Sequence, residues 1–249
     1  GTLGIVTEAT VGLEPIPETK SLALLAYEDL VTAMRDVEPI LAHDPAAVEV
    51  LDDVLLDLAA ETEAFGTLVD EIVPDGTGAI LLVEFYADDG TAGKQQVADL
   101  LADRIENVET AVAPSDDATS ITEARPYAFL GREAHSGAER RRFWKLRKSG
   151  LPILLGRTSD AKHISFVEDC AVPPERPPEY VADFREVLEA HDTYAPFYAQ
   201  AGPGGLHVRP LLDTKTVEGV ERMQSIADAA TDPVVEYAAS VSDEHGDGR

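Results

Sequence analysis

The chain is short of cysteine, of tryptophan and of positive charge. Its 249 residues hold one Cys, one Trp and two Met. The single thiol, Cys170, excludes an internal disulfide and any cysteine-built metal cluster within the chain, and reads as a small packed apolar residue. Lys and Arg total 20 against 47 Asp and Glu, a formal net charge of −27, and Arg outnumbers Lys fourteen to six. That balance argues against a nucleic-acid partner, because phosphates must be neutralised by cations. The acids are scattered along the chain, not gathered in a tail. Such a surface repels itself at low salt and is tolerated where salt screens it, so a halophilic source is expected. No apolar run reaches the roughly 18 residues of a membrane span; the longest, such as Gly78 to Phe85, are strand-sized. Gly1 to Val11 lacks the basic start and long apolar centre of a signal peptide. A cytoplasmic location is expected, with peripheral attachment to the cytoplasmic side of a membrane left open. Also missing are G-x-S-x-G, H-E-x-x-H and G-x-x-x-x-G-K, which leaves hydrolase and kinase chemistry little support.

Hydrophobic periodicity organises what is present. Lys20 to Tyr27 and Ala79 to Tyr86 read as strands, with Pro74 to Gly78 as turn chemistry between elements. Glu28 to Ala42 has the three-and-four spacing of an amphipathic helix. A second helix is expected from Asp44-Pro45, with Val48, Val50, Leu51, Val54, Leu55 and Leu58 inward. Ala92 to Glu106 is helical in pattern, and Val108 to Val112 reads as a strand. The order β-α-α-β-α-β is close to a ferredoxin-like unit with an inserted helix. Further on, Gly131 to Lys148 reads as a charged helix, His163 to Phe166 as a strand, and Pro177 to His191 as a helix. Ala195 to Ala201 and Leu206 to Pro210 read as a hairpin. Thr214 to Thr231 reads as a helix with Val217, Val220, Met223, Ile226 and Ala227 inward. The class is α+β: antiparallel sheet with helices packed on one face.

The hairpin carries the first chemical question. FYAQAGPGGLHVRP, Phe197 to Pro210, sets a glycine-dense turn before a lone His. Glycines this dense mark a close approach of backbone. His207 is either a histidine satisfied inside the hairpin or a metal ligand or acid/base group beside a glycine-lined pocket. A metal needs a second donor, and Glu244-His245 is the obvious supplier. In extended backbone those neighbours point to opposite sides and would serve different partners. Arg147, one turn after Trp144, either complements a helix dipole or recognises a carboxylate. The start, GTLGIVTEATV, is a turn and strand; its G-x-x-G lacks the third glycine and the preceding strand of a phosphate-binding fingerprint.

Taken in order, GTLGIVTEATVGLEPIP, FWKLRKSG, VEDCAVP, AQAGPGGLH and SDEHGDGR resemble the C-terminal part of FAD-linked D-2-hydroxyacid dehydrogenases of the vanillyl-alcohol oxidase superfamily. That group includes D-lactate dehydrogenase, the glycolate oxidase flavin subunit and D-2-hydroxyglutarate dehydrogenase. HVRP and EHGDGR are most similar to the long members fused to an iron–sulfur domain. The resemblance implies that the chain is a piece of a longer polypeptide. Residues 1–17 would be the end of an FAD-binding domain, and residues 18–249 a substrate or cap domain cut short at its C-terminus. It implies that Thr2, Leu3, Gly4, Ile5 and Val6 line FAD, which the missing domain mainly binds. Zinc or manganese would sit on His207 and Glu244, with Gln200 at the position where the family has a second His. That is a departure, since an amide oxygen suits harder cations than imidazole does. Arg147 would hold the carboxylate of a small 2-hydroxy acid, and His245 would take its hydroxyl proton while hydride passes to the flavin. Electrons would leave to an iron–sulfur domain or a quinone-linked chain. On this reading the piece alone is inactive. The other reading is a structural or acceptor-docking module with a degenerate metal site.

Overall fold

The computed structural model describes residues 4–13, 15–105, 128–167, 169–173 and 175–242. The first half runs β1 (Thr19–Tyr27), α1 (Leu30–Arg35), α2 (Val37–Leu41), β2 (Ala47–Asp52), α3 (Asp53–Ala60), α4 (Gly66–Ile72), β3 (Ala79–Ala87), α5 (Gly90–Arg104) and β4 (Leu130–Ala134). The second runs α6 (Gly137–Leu155), β5 (Lys162–His163), β6 (Cys170–Ala171), α7 (Pro177–Ala190), β7 (Phe197–Gln200), β8 (Gly205–Val208), β9 (Leu211–Leu212) and α8 (Val217–Glu236).

Seven strands form one sheet in the order β4-β1-β3-β2-β7-β8-β6, every pairing antiparallel. The four strands β4-β1-β3-β2, with helices after β1 and β3, make the expected ferredoxin-like unit, and α3 and α4 are inserted between β2 and β3. β1 is apolar at nearly every position because it is covered on both sides. Ala23, Leu25 and Tyr27 enter one core, with α1, α5, α7 and α8 over it; Leu22, Leu24 and Ala26 enter another, under α3, α4 and α6. The α+β class is therefore observed, but the helices cover both faces of the sheet rather than one. Counting periodicity helix by helix could not show this, since each amphipathic helix looks alike whichever face it covers.

Four local expectations are corrected. The helix expected from Asp44-Pro45 is a strand, β2, followed by α3. The apolar residues 48, 50, 51, 54, 55 and 58 mix two periods. Val48 and Val50 alternate with Glu49, and the helical spacing begins only after Asp52, whose side chain accepts the Leu55 N–H at 3.0 Å and caps α3. The helix expected from Gly131 starts later, because Leu130–Ala134 pairs with β1 and a Ser136–Glu139 capping box opens α6 at Gly137. α6 then runs on to Leu155. The strand expected over His163–Phe166 is only Lys162–His163, paired with β9 in a separate two-stranded sheet. In α8, Ile226, Ala230 and Val234 are buried, but Val217 and Val220 lie exposed, at 77% and 51%. In its first turn only Gly219 is buried, and the apolar side chains reach the core from Ile226 on. The strand expected at Val108–Val112 lies outside the described residues.

Two buried carboxylates brace the sheet. Tyr27 Oη donates to Asp36 Oδ2 at 2.7 Å and Arg104 Nη1 to Asp36 Oδ1 at 3.0 Å, tying β1, the α1–α2 junction and the end of α5. Burial nonetheless pushes the Asp36 carboxyl up. Asp52, fully buried, accepts the Phe197 N–H at 2.8 Å as well as its α3 cap. Burial raises its pKa to about 7, against the lowering pull of those two N–H groups.

Candidate functional site

Side-chain alternation sets which residues meet. On β7, Phe197 and Ala199 enter the first core, so Tyr198 and Gln200 face α6; on β8, Leu206 and Val208 enter that core, so His207, and then Arg209, face α6 as well. On β2 the same parity turns Glu49 toward α6, and Glu49 pairs with Gln200 across the strands. α6 supplies Arg147. The polar cluster is thus built from three neighbouring strands and the helix that roofs them.

Tyr198 is its centre. The Arg147 guanidinium carbon stands 5.2 Å from the Tyr198 ring centroid, a cation–π contact. Arg147 Nε donates to Glu49 Oε2 at 2.8 Å, in a pair whose side chains are 15% and 13% exposed. Arg209 Nε donates to Tyr198 Oη at 2.7 Å. His207 is the direct cross-strand partner of Tyr198, its ring 5.2 Å away and tilted by 36°. Gln200 pairs with Gly205, which puts it diagonally across from His207 on the same face. Tyr198, His207 and Arg209 are buried. One turn before Arg147, Trp144 Nε1 donates to Glu84 Oε2 at 2.7 Å, anchoring α6 to β3.

The glycine turn explains why this geometry holds. Gly204 has φ +84°, and a Cβ there would stand 2.0 Å from the Val172 carbonyl oxygen. The backbone is that close because the Val172 N–H donates to Gly204 O at 3.0 Å, while Gly202 N–H donates to Val48 O at 3.1 Å. The turn's glycines thus approach β2 and the segment after β6, and so hold the hairpin that carries Gln200 and His207.

Of the expected site residues, Gln200 and His207 share one sheet face, and Arg147 of α6 meets that face at Tyr198. Gly4, Ile5 and Val6 form no part of the cluster: they lie in a segment without regular secondary structure, with Ile5 93% and Val6 83% exposed. Thr2, Leu3, Glu244 and His245 lie outside the described residues. Glu49, Tyr198 and Arg209 join the cluster unanticipated. Their signal was a polar residue set between apolar ones in AVEVL, FYAQ and LHVR, legible only once those strands are paired. Among the described residues no group of three His, Cys, Asp or Glu could hold a metal ion. One imidazole and one amide fall short of the three protein ligands of a catalytic zinc. A separate cleft of about 710 Å³ opens between Leu58–Phe65 and the end of α6, and its lining includes none of the cluster.

Two guanidiniums, an imidazole, an amide and a carboxylate thus gather between one sheet face and α6 of an α+β domain. Residues 16–249 match the family of FAD linked oxidases, C-terminal domain, and the chain belongs to that family. It is 30% identical over its whole length to D-2-hydroxyglutarate dehydrogenase of Pseudomonas putida, covering 23% of that protein. It is 29% identical, again over its whole length, to glycolate oxidase subunit GlcD of Bacillus subtilis, covering 47% of it. The chain thus spans less than half of either relative. The fold is similar to that of alkyldihydroxyacetonephosphate synthase, with TM-score 0.57 and 11% identity over 91% of this chain and 41% of that one.

Proposed function

We propose that the chain is the substrate-binding part of a flavin-dependent oxidoreductase that converts a D-2-hydroxy acid to the 2-oxo acid. The observation that carries this reading is the setting of Arg147. Its Nε–H is committed to Glu49 and its plane rests near Tyr198, so the Nη edge is the part left for a carboxylate fork. FAD, when bound, supplies the hydride acceptor. The exposed apolar segment holding Gly4, Ile5 and Val6 suits an edge against the flavin region and not an enclosing pocket, so FAD would be held mainly outside this chain. Arg147 fixes the substrate carboxylate. His207, stacked beside Tyr198, borders the hydroxyl-bearing carbon. Arg209 Nε donates to the Tyr198 hydroxyl and so helps to fix the ring that Arg147 rests near. The likeness to D-2-hydroxyglutarate dehydrogenase favours a hydroxy acid with a second carboxylate, of the 2-hydroxyglutarate type, over lactate or glycolate. His245, by resemblance, takes the hydroxyl proton, and Glu244 completes any metal site with His207 and Gln200.

The electron acceptor, an iron–sulfur domain or a quinone-linked chain, and a cytoplasmic setting in a halophilic cell complete the proposal. The test is a substrate screen of the full-length, FAD-loaded protein at high salt with glycolate, D-lactate and D-2-hydroxyglutarate. Oxidation is expected, with the highest kcat/KM for the dicarboxylate. Absence of turnover with all three would overturn the reading. Turnover by residues 1–249 alone, without a flavoprotein partner, would show that the flavin site is not held elsewhere.

A further inference from the structure

The clasp between β2 and β7 is unusually short for the job it does. The two strands pair over three positions only, Glu49↔Gln200, Val50↔Ala199 and Leu51↔Tyr198. β7 itself is four residues long. A slip of one residue in such a strand sends every side chain to the opposite face. Here it would drive Tyr198 and Gln200 into the first core and expose Phe197, which packs edge-on to Phe184 at 6.1 Å. Asp52 stands where a fourth pair would come. Its carboxylate replaces a backbone acceptor for the Phe197 N–H (Oδ2, 2.8 Å), and its other oxygen takes the Leu55 N–H of α3 (Oδ1, 3.0 Å). α3 in turn abuts α6. Leu55 lies so close to Gly150 that a Cβ there would come within 3.0 Å of Leu55 Cδ2, and Gly150 is less than one turn beyond Arg147.

We propose that Asp52 is a positioning residue for the anion site, referencing Tyr198 and Gln200 on β7 and Arg147 on α6 to a single buried carboxylate. It touches no substrate; it acts through Phe197 and Leu55. This rests on the hydroxy-acid reading for its kinetic consequence but not for its structural one.

Two variants separate the tasks. Asp52→Ser keeps a good helix cap for α3 but is too short to reach Phe197. Asp52→Asn keeps the reach and one acceptor. Asp36→Asn, at a buried carboxylate that bonds Tyr27 and Arg104 but neither β7 nor α3, controls for lost stability. In the full-length, FAD-loaded protein, Asp52→Ser is expected to lose amide-exchange protection over Phe197–Gln200 while β1 and β3 keep theirs. Its kcat/KM is expected to fall about a hundredfold, mainly through KM, as misplacement of about 1 Å costs. Asp52→Asn should fall between Asp52→Ser and wild type, and Asp36→Asn should leave kcat/KM unchanged. Unchanged β7 protection in Asp52→Ser overturns the clasp. Lost protection with unchanged kcat/KM overturns its link to the site. If the wild type oxidises no 2-hydroxy acid, the function fails separately and exchange alone decides the clasp.

Discussion

Arg147 and Tyr198 meet across the gap between a helix and a sheet, guanidinium carbon 5.2 Å from ring centroid, with Glu49 holding the arginine's Nε at 2.8 Å. A flat cation is thereby fixed in one orientation before any ligand arrives. Pre-organisation of this kind lowers the entropy lost on binding a planar carboxylate.

Arg147→Lys keeps the charge and loses both the fork and the flat surface. It should raise KM for the hydroxy acid by one to two powers of ten, the equivalent of about 1.5–3 kcal/mol for charge-assisted hydrogen bonds. kcat should change less. Steady-state kinetics on the FAD-loaded full-length protein check this. An unchanged KM would remove Arg147 from substrate binding.

The Tyr27–Asp36–Arg104 network is a matter of stability, remote from the cluster. Arg104→Leu leaves Asp36 buried with one hydrogen bond and no cation. Breaking a buried pair from one side costs about 3–5 kcal/mol, and Tyr27→Phe should cost about 1–3 kcal/mol. Urea unfolding at neutral pH measures both. A loss under about 1 kcal/mol for Arg104→Leu would mean that water reaches Asp36.

Asp52 gives the stability curve a sign. Its folded pKa, about 7, lies above the ordinary 3.8, so the folded state holds a proton that the unfolded chain releases. Stability from this group is full below about pH 4 and is lost as pH rises toward about 7, with no further slope above. Asp53 nearby pushes the same way and Arg185 opposes it. The general repulsion of an acidic surface also grows over that window. The difference between wild type and Asp52→Asn isolates the residue, and that difference should flatten above pH 7. A difference that is flat from pH 4 to 7 would place the carboxylate in its usual range.

How much of this was legible beforehand depends on the range of each interaction. β1, β3, α5, α7 and the hairpin around the glycine turn follow from local pattern, because apolar runs, caps and glycines act within a few residues. β2 was taken for helix because its valines continue, by coincidence of spacing, into α3. Arg147, Gln200 and His207 were singled out by motif; Gln200 and His207 lie on the sheet face next to Tyr198, which Arg147 of α6 approaches. Glu49, Tyr198 and Arg209 were not, since a polar residue inside a strand has no direction until its neighbours are known. The grouping of Glu49 with Arg147, ninety-eight positions apart, is a fact of pairing and not of pattern.

Gly204 offers a local test of the turn. Its φ of +84° already disfavours any side chain, and an alanine Cβ would collide with Val172 O at 2.0 Å. The clash is with backbone, so rotamer change cannot relieve it. Gly204→Ala should lose about 1–3 kcal/mol and lower affinity at the site, because the turn spaces Gln200 from His207. Gly12→Ala, at an exposed position with nothing within 4 Å of the added carbon, is the control and should be neutral. Equal midpoints for the two variants in thermal unfolding would mean that the turn has an alternative path.

Charge governs the last expectation. With 47 acids against 20 bases, most carboxylates have no cation to face, and burial of apolar surface must hold the chain against its own repulsion. The Debye length falls from about 10 Å at 0.1 M salt to about 3 Å at 1 M, which removes repulsion between surface carboxylates. Attraction within partly buried pairs such as Arg104–Asp36 and Arg147–Glu49 is screened much less. The balance therefore favours the folded state as salt rises, and the thermal midpoint should climb with KCl through that range. Sucrose, an uncharged stabiliser, sets the baseline for effects other than screening. A midpoint that is flat or falling in KCl would mean that the acids are spaced widely enough for dilute buffer, and the halophilic expectation would go with it.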